Sequence, residues 1–275
     1  MTTAQPAGGG GDSVAFDRAA GFYDDSRGLP PEVEELVVDR VEEAVGGAGR
    51  LLEVGVGTGR IALPLRRRGR DVVGVDLSLP MLARYRTKAA AAGLAPPPVV
   101  RADATHLPLR DACVDAVLEV HVLHLVPAWE QGLAEVRRVL VGGGLLLHAG
   151  GGGTWERGSG SPRSQVMGRF DELAAAAGTT PRVVGASRQQ VLDHLAAMGA
   201  EVQELEPVVW EGTETHAEAL RWIEDRVFSY HWRLPDDVWR AAADQVRAEL
   251  EARHADLEAP TPARHTFSFT AARFR

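Results

Sequence analysis

A chain of 275 residues, 45% hydrophobic and 25% charged, is long enough for one good core with an appended subdomain and has the balance of a globular protein. Its formal charge of -8 argues against nucleic acid or an anionic membrane as a partner, because both reward a basic surface. The lone Cys113 excludes an internal disulfide and fits a reducing, cytoplasmic setting, and no apolar run is long enough to span a bilayer.

The opening "MTTAQPAGGGGD" is polar and glycine-rich, so residues 1–15 are expected to be a disordered tail, with order starting near Phe16. From Pro31, the residues Val33, Leu36, Val37, Val41 and Val45 recur at helical spacing, and Gly46 and Gly47 form a stop. Short apolar runs then alternate with helix-forming stretches. The runs are "LLEV" at 51, "VVGV" at 72, "PVV" at 98, "AVLEV" at 116 and "LLLHA" at 145; the helical stretches are 60–68, 79–92 and 130–140. Apolar runs without polar alternation fit strands buried on both faces, as in a parallel sheet covered by helices. The alternation predicts an α/β, doubly wound domain. The basic run Arg66, Arg67, Arg68 and Arg70 reads as a solvated helix end.

Ligands of such sheets sit beyond the carboxyl ends of the strands, where strand order reverses. Glu53 and a glycine turn end the first strand, Asp76 ends the second, Asp103 follows the third, and Glu119 to His124 follow the fourth. Gly55, Gly57 and Gly59 give G-x-G-x-G rather than the dinucleotide fingerprint, because Arg60 stands where its last glycine belongs, and no P-loop is present. Asp76, at the end of the next strand, is placed to accept from both hydroxyls of a ribose. The pattern implies a ribose without a pyrophosphate.

The stretches "LLEVGVGTG", "VVGVDLSLPML", "VVRADATHLPLRDACVDAVLEVHVLHLV" and "EVRRVLVGGGLLLHA" resemble, in order and spacing, the successive motifs of class I S-adenosylmethionine-dependent methyltransferases. The likeness is to the small-molecule branch that includes ubiquinone and menaquinone biosynthesis methyltransferases, and "FDRAAGFYDDSRGLPPEV" resembles that branch's N-terminal lead. It covers residues 16–150 closely and the rest in outline. "LVGGG" at 140–144 departs from the family's usual turn before the fifth strand. The resemblance implies a mostly parallel seven-stranded sheet of Rossmann-like kind, S-adenosyl-L-methionine as cofactor, and a small-molecule acceptor. It also implies roles: Glu53 toward the ammonium end, Gly55, Gly57 and Gly59 around the methionine part, Asp76 on the ribose, Leu77 and Met81 against the adenine, Asp103 and Ala104 on its edge, Glu119 nearby, and Tyr23 closing over the cofactor. For Asp103 a turn role is the alternative.

A base helps methyl transfer only where the acceptor arrives protonated. His121 and His124 in "EVHVLHLV" are the candidate catalytic residues, with hydrogen-bonded structural histidines as the competing reading. Their H-x-x-H spacing has no recognisable third ligand, so no metal is expected.

Further on, "GGGGTWERGSGSPRS" is flexible by composition, and a helix is expected over 164–177. "SRQQVLDHLAAMGAEVQELEPVVW" predicts a capped helix, a stop at Gly199 and a strand; "HTFSFTAARF" predicts a last antiparallel strand. The methyltransferase domain is thus expected over 16–211 and 264–275, with 212–263 inserted as a helical cap. The cap carries Trp222, Phe228, Tyr230, Trp232 and Trp239, which suit either a lid over a flat or apolar acceptor or the cap's own core. Tyr230, His231 and Arg233 are the cap residues expected within reach of a substrate. Two other functions share these features: a catalytically silent S-adenosylmethionine-binding module, and a nicotinamide oxidoreductase, which the missing glycine disfavours.

Overall fold

A computed structural model describes residues 13–150, 160–179 and 184–274. Residues 1–12 of the expected tail and most of the stretch read as flexible by composition lie outside the described residues, whereas 13–15 are described and Val14 N donates to Leu125 O at 3.0 Å, so the ordered chain starts before the expected Phe16.

After a short 3-10 turn at Asp17–Ala19 come α1 (Tyr23–Arg27) and α2 (Pro31–Val45). Pro31 sits in the first turn of α2, where its missing N–H costs nothing, and Gly46 follows the last turn with φ 53°. Val33, Val37, Val41 and Val45 form its buried face, while Leu36 of the expected stripe stays exposed.

Next are β1 (Arg50–Val54), α3 (Ala62–Arg67), β2 (Asp71–Asp76), α4 (Leu79–Ala91), β3 (Val99–Arg101), β4 (Val114–Val120), α5 (Trp129–Val139) and β5 (Leu140–Ala149). Then follow α6 (Pro162–Ala176), α7 (Arg188–Ala197), β6 (Ala200–Glu204), β7 (Val208–Glu214), α8 (His216–Glu224), α9 (Asp236–Arg253), β8 (Thr261–Phe267) and β9 (Thr270–Phe274).

The main sheet runs β3-β2-β1-β4-β5-β9-β6. β9 is antiparallel to both neighbours and the other registered pairs are parallel. The mostly parallel, seven-stranded sheet is thus the one expected. Its central strands β1, β4 and β5 are largely apolar because both faces are covered, whereas the edge strands β3 and β6 are largely exposed. Leu51, Ala116, Leu118 and Leu147 pack toward α2, α3 and α4, whereas Leu52, Val54, Val117 and Leu146 pack toward α5 and α7. The basic run does end a solvated helix, where Arg68 pairs with Glu35, Asp39 and Glu42.

Two expected strands are each broken in two. Between β6 and β7 the chain leaves the sheet at Leu205–Pro207, where Pro207 has no N–H for a ladder. Between β8 and β9 it does the same at Ser268–Phe269, and Leu205 N donates to Phe269 O at 3.0 Å across this joint. The upper halves, β7 and β8, pair antiparallel as a separate ribbon from Val208–Phe267 to Glu214–Thr261. α8 and α9 lie between its two strands in the chain. Their core also takes Val166, Met167 and Phe170 from α6. The helical core around α8 and α9 thus takes in α6, which lies outside 212–263, and the ribbon begins at Val208.

No helix among the described residues is long and apolar enough to cross a membrane.

Candidate active site

A cavity of about 700 Å3 opens beyond the carboxyl ends of β1, β2 and β4, where the strand order turns from β2 on one side of β1 to β4 on the other. One wall comes from the strand ends and their loops. The other comes from α1, α6, the β7–β8 ribbon and the cap.

On the strand wall the cavity is lined by Gly55, Asp76, Leu77, Met81, Asp103 and Ala104, all expected there. Asp76 ties the glycine turn to β2. Its Oδ2 accepts from Gly57 N at 2.8 Å and its Oδ1 from Ser78 N at 2.8 Å. One amide per oxygen leaves each with further acceptor capacity. Burial raises the Asp76 carboxyl above its ordinary value, against the pull of those amides. Asp103 binds Thr105 through both the amide and the hydroxyl, at 2.9 and 2.8 Å. Burial pushes its carboxyl up, but the hydrogen bonds from Thr105 and Ser13 outweigh it and hold it below its ordinary value. Asp103 thus makes a turn and faces the cavity at once.

The three glycines serve different needs. Gly55 lies on the cavity with φ 68°, and a Cβ there would come 2.2 Å from Val122 Cγ2. Gly59, with φ 79°, has no room beside the Tyr85 ring, where a Cβ would lie 2.3 Å from Cδ2. Gly57 and Gly59 do not line the cavity; they shape the turn behind it.

Glu53 and Glu119 do not line it either. Glu53 is buried at the end of β1, with its Oε2 unpartnered among the described residues. Burial lifts its carboxyl to about 8, although Arg60 and the Ala62 amide pull the other way. Glu119 is fully engaged. Oε2 meets His148 Nδ1, and Oε1 accepts from Val122 N at 2.7 Å and Leu123 N at 3.0 Å. Its carboxylate is turned into the sheet rather than onto the cavity, and there it fixes the loop after β4.

That loop carries His121 and His124, and both line the cavity. His121 has φ 58°, sparsely populated for a residue with a Cβ, and its N–H donates to Ala149 O at 2.7 Å. Burial lowers His124 to about 4, with Arg27 and His148 adding to it and Glu119 opposing, so the ring is neutral at pH 7.

Tyr23 of α1 lines the cavity as expected. The next residue, Asp24, holds α1 down. It accepts from Thr58 Oγ1 at 2.6 Å and from Lys88 Nζ at 2.9 Å, joining α1 to the glycine turn and to α4. Nothing in the sequence paired Asp24, Thr58 and Lys88, which lie on three separate elements.

Of the cap residues expected near a substrate, Tyr230 lines the cavity. His231 instead packs into the cap core against Phe170 and Tyr230, fully buried, and Arg233 is exposed away from the cavity. The aromatics divide: Trp222 and Phe228 join Tyr230 on the cavity, while the indole N–H groups of Trp232 and Trp239 donate to Arg226 O and Ile223 O. Arg27 and Arg163 also line the cavity. The sequence reading passed over both, since an isolated arginine carries no signal until its neighbours are known.

Residues 52–148 match the family described as methyltransferase domain. The chain is 42% identical over 100 residues to the demethylmenaquinone methyltransferase of Thermus thermophilus, covering 36% of this chain and 45% of that protein. It is 32% identical over 157 residues to the malonyl-(acyl-carrier protein) O-methyltransferase of Pectobacterium atrosepticum, covering 57% and 58%. The chain spans about half the length of the curated relatives it matches. The solved structure of the YcgJ protein of Bacillus subtilis superposes with a TM-score of 0.59 at 18% identity, covering 89% of this chain and 98% of that one, which shows a shared fold. The matched family stretch runs from β1 to β5 and leaves α1, α6 and the cap outside it.

Proposed function

We propose, on the premise that residues 52–148 are a class I S-adenosylmethionine-dependent methyltransferase domain, that the whole chain transfers a methyl group from that cofactor to a small-molecule acceptor. The observation that carries this reading is the pair of carboxylates, Asp76 and Asp103, on one wall of a cavity whose opposite wall is built by a cap. The strand wall suits a phosphate-free nucleoside: Asp76 keeps acceptor capacity for ribose hydroxyls, Asp103 offers a carboxylate to an amino group, and a pyrophosphate would be repelled by both. Leu77 and Met81 give apolar contact to a base, and Ala104 supplies its amide. When bound, S-adenosylmethionine supplies an electrophilic methyl group on a sulfonium whose sulfur leaves neutral.

The protein's share is alignment and exclusion of water, for which orientation contributes on the order of 7–11 kcal/mol of a barrier. Tyr23, held down through Asp24, closes the cofactor side; the cap closes the acceptor side. His124 is neutral at pH 7 and takes the acceptor's proton where one must leave, with His121 as the other candidate. Glu119 acts on both by fixing their loop. Glu53, Gly57 and Gly59 support the turn from behind.

The test is methyl transfer from radiolabelled S-adenosylmethionine into a fractionated small-molecule extract, beside calorimetry with S-adenosylhomocysteine. Transfer together with binding supports the reading. Binding without transfer to any fraction points to a silent module, and binding of NAD at this cavity in place of S-adenosylhomocysteine overturns the assignment.

A further inference from the structure

The acceptor end of the cavity concentrates positive charge. Arg27 leaves the end of α1 half-buried, with its guanidinium 4.4 Å from the Phe228 ring centroid and 5.6 Å from that of Trp222. Arg163, at the start of α6, stands 3.9 Å from the same Trp222 ring. Arg60 reaches the group from the glycine turn, with its Nη1 donating to Arg27 O at 3.0 Å. Three cations thus converge from three elements.

Their compensation is uneven. Arg163 is met by the buried Glu214 at 3.5 Å, and that carboxylate also accepts from the Arg163 amide at 3.0 Å. Arg27 makes no ion pair among the described residues. After burial, the groups that weigh most on it are Tyr23, Arg60, Arg163 and Tyr230, and no carboxylate is among them; its pKa is held down to about 10. Acids are present in the cavity but placed elsewhere. Asp76 and Asp103 sit on the strand wall, Asp25, Glu32 and Glu211 are exposed, and Glu218 is engaged in the capping box that starts α8. Asp171 of α6 also lines the cavity. A partly desolvated guanidinium whose near neighbours are two more cations is stabilised by a bound anion, and its planar fork matches a carboxylate or a phosphate.

We propose that this end of the cavity recognises an oxyanion on the acceptor, a carboxylate or a phosphate attached to an apolar or flat body, with Arg27 as the principal contact. Arg163 and Arg60 add field, and Trp222, Phe228 and Tyr230 enclose the body. The same charge rejects a cationic amine. The inference deepens the methyltransferase reading by giving its acceptor a chemical class.

The experiment is calorimetric titration of the full chain with benzoate, phenyl phosphate, benzamide and benzylamine, each with and without saturating S-adenosylhomocysteine. At least one of the two anions is expected to bind about tenfold or more tighter than benzamide, with benzylamine weakest. Which anion wins decides between carboxylate and phosphate. Arg27→Gln is expected to abolish the preference while leaving S-adenosylhomocysteine affinity within about twofold, and Arg27→Lys to keep part of it. Equal binding of benzamide, the absence of any anion binding, or a preference that survives Arg27→Gln in a folded variant overturns the proposal. If Arg27→Gln does not fold, a preference unchanged in Arg27→Lys and by added salt overturns it instead. Because the anion arms are also run without S-adenosylhomocysteine, failure of that nucleoside to bind sinks the methyltransferase reading separately.

Discussion

Glu119 and His148 face each other across adjacent parallel strands, in register, both buried, with the carboxylate bonded to the imidazole. The other oxygen of Glu119 holds the amides of Val122 and Leu123, so one side chain links the floor of the sheet to the loop bearing His121 and His124. This is how a residue outside the cavity governs its shape.

Removing that side chain strands a buried imidazole and two loop amides. Glu119→Ala is expected to cost on the order of 3–5 kcal/mol, read from urea denaturation. The pH dependence has a defined sign. Burial alone would raise the Glu119 carboxyl, but His148 and the two amides outweigh it and leave it below 4.5. A depressed carboxyl contributes stability present above that value and lost as pH falls through the folded one. Acid unfolding should therefore be less steep below about pH 4.5 in Glu119→Gln than in the wild type; identical steepness would contradict the linkage.

Asp76 offers a sharper test of the cofactor wall. Asp76→Ala should weaken S-adenosylhomocysteine binding by at least about tenfold, the loss of a bidentate hydroxyl contact. It also removes two amide acceptors, so a stability loss of about 1–3 kcal/mol should accompany it. Calorimetry and thermal melting separate the two effects, and affinity unchanged in a folded variant would refute the assignment.

Gly55 and Val122 are in direct steric conflict once a Cβ is added. Gly55→Ala should destabilise by roughly 2–4 kcal/mol, from the φ of 68° and the overpacking together. Val122→Ala in the same chain relieves the overpacking but not the backbone strain. A double-mutant cycle should therefore show partial recovery; strict additivity would mean that the contact does not matter.

His231 is buried with neither ring nitrogen bonded among the described residues, and burial, with Arg226 and Arg27, holds its pKa down to about 3. The unfolded chain binds the proton more readily, so stability rises with pH between about 3 and the ordinary 6.5. His231→Leu should narrow the difference in stability between pH 7.5 and pH 5 by on the order of 2 kcal/mol, measured by denaturation at both pH values.

Much of the strand wall was legible in the chain itself because its logic is local. Three runs of apolar residues, each followed by a glycine or an acid, place Gly55, Asp76 and Asp103 at or just past strand ends, and strand ends in a doubly wound sheet point into one crevice. The same locality misled elsewhere. "HTFSFTAARF" keeps its alternation through Ser268–Phe269, and in "EVQELEPVVW" only Pro207 marks the place where the chain passes from sheet to ribbon. Glu119 looked like its neighbours at the strand ends, and only its partner His148 on another strand shows that it faces inward.

The sequence by itself determined the sheet, the glycine turn and the carboxylate that stays beside it, since periodicity and backbone conformation are properties of neighbouring residues. Tertiary structure alone decided the wall that faces the strand ends. Arg27, Arg163 and Trp222 belong to three helices that meet only when the cap folds onto α6, and the charge of a site is a sum over groups that the chain order keeps apart.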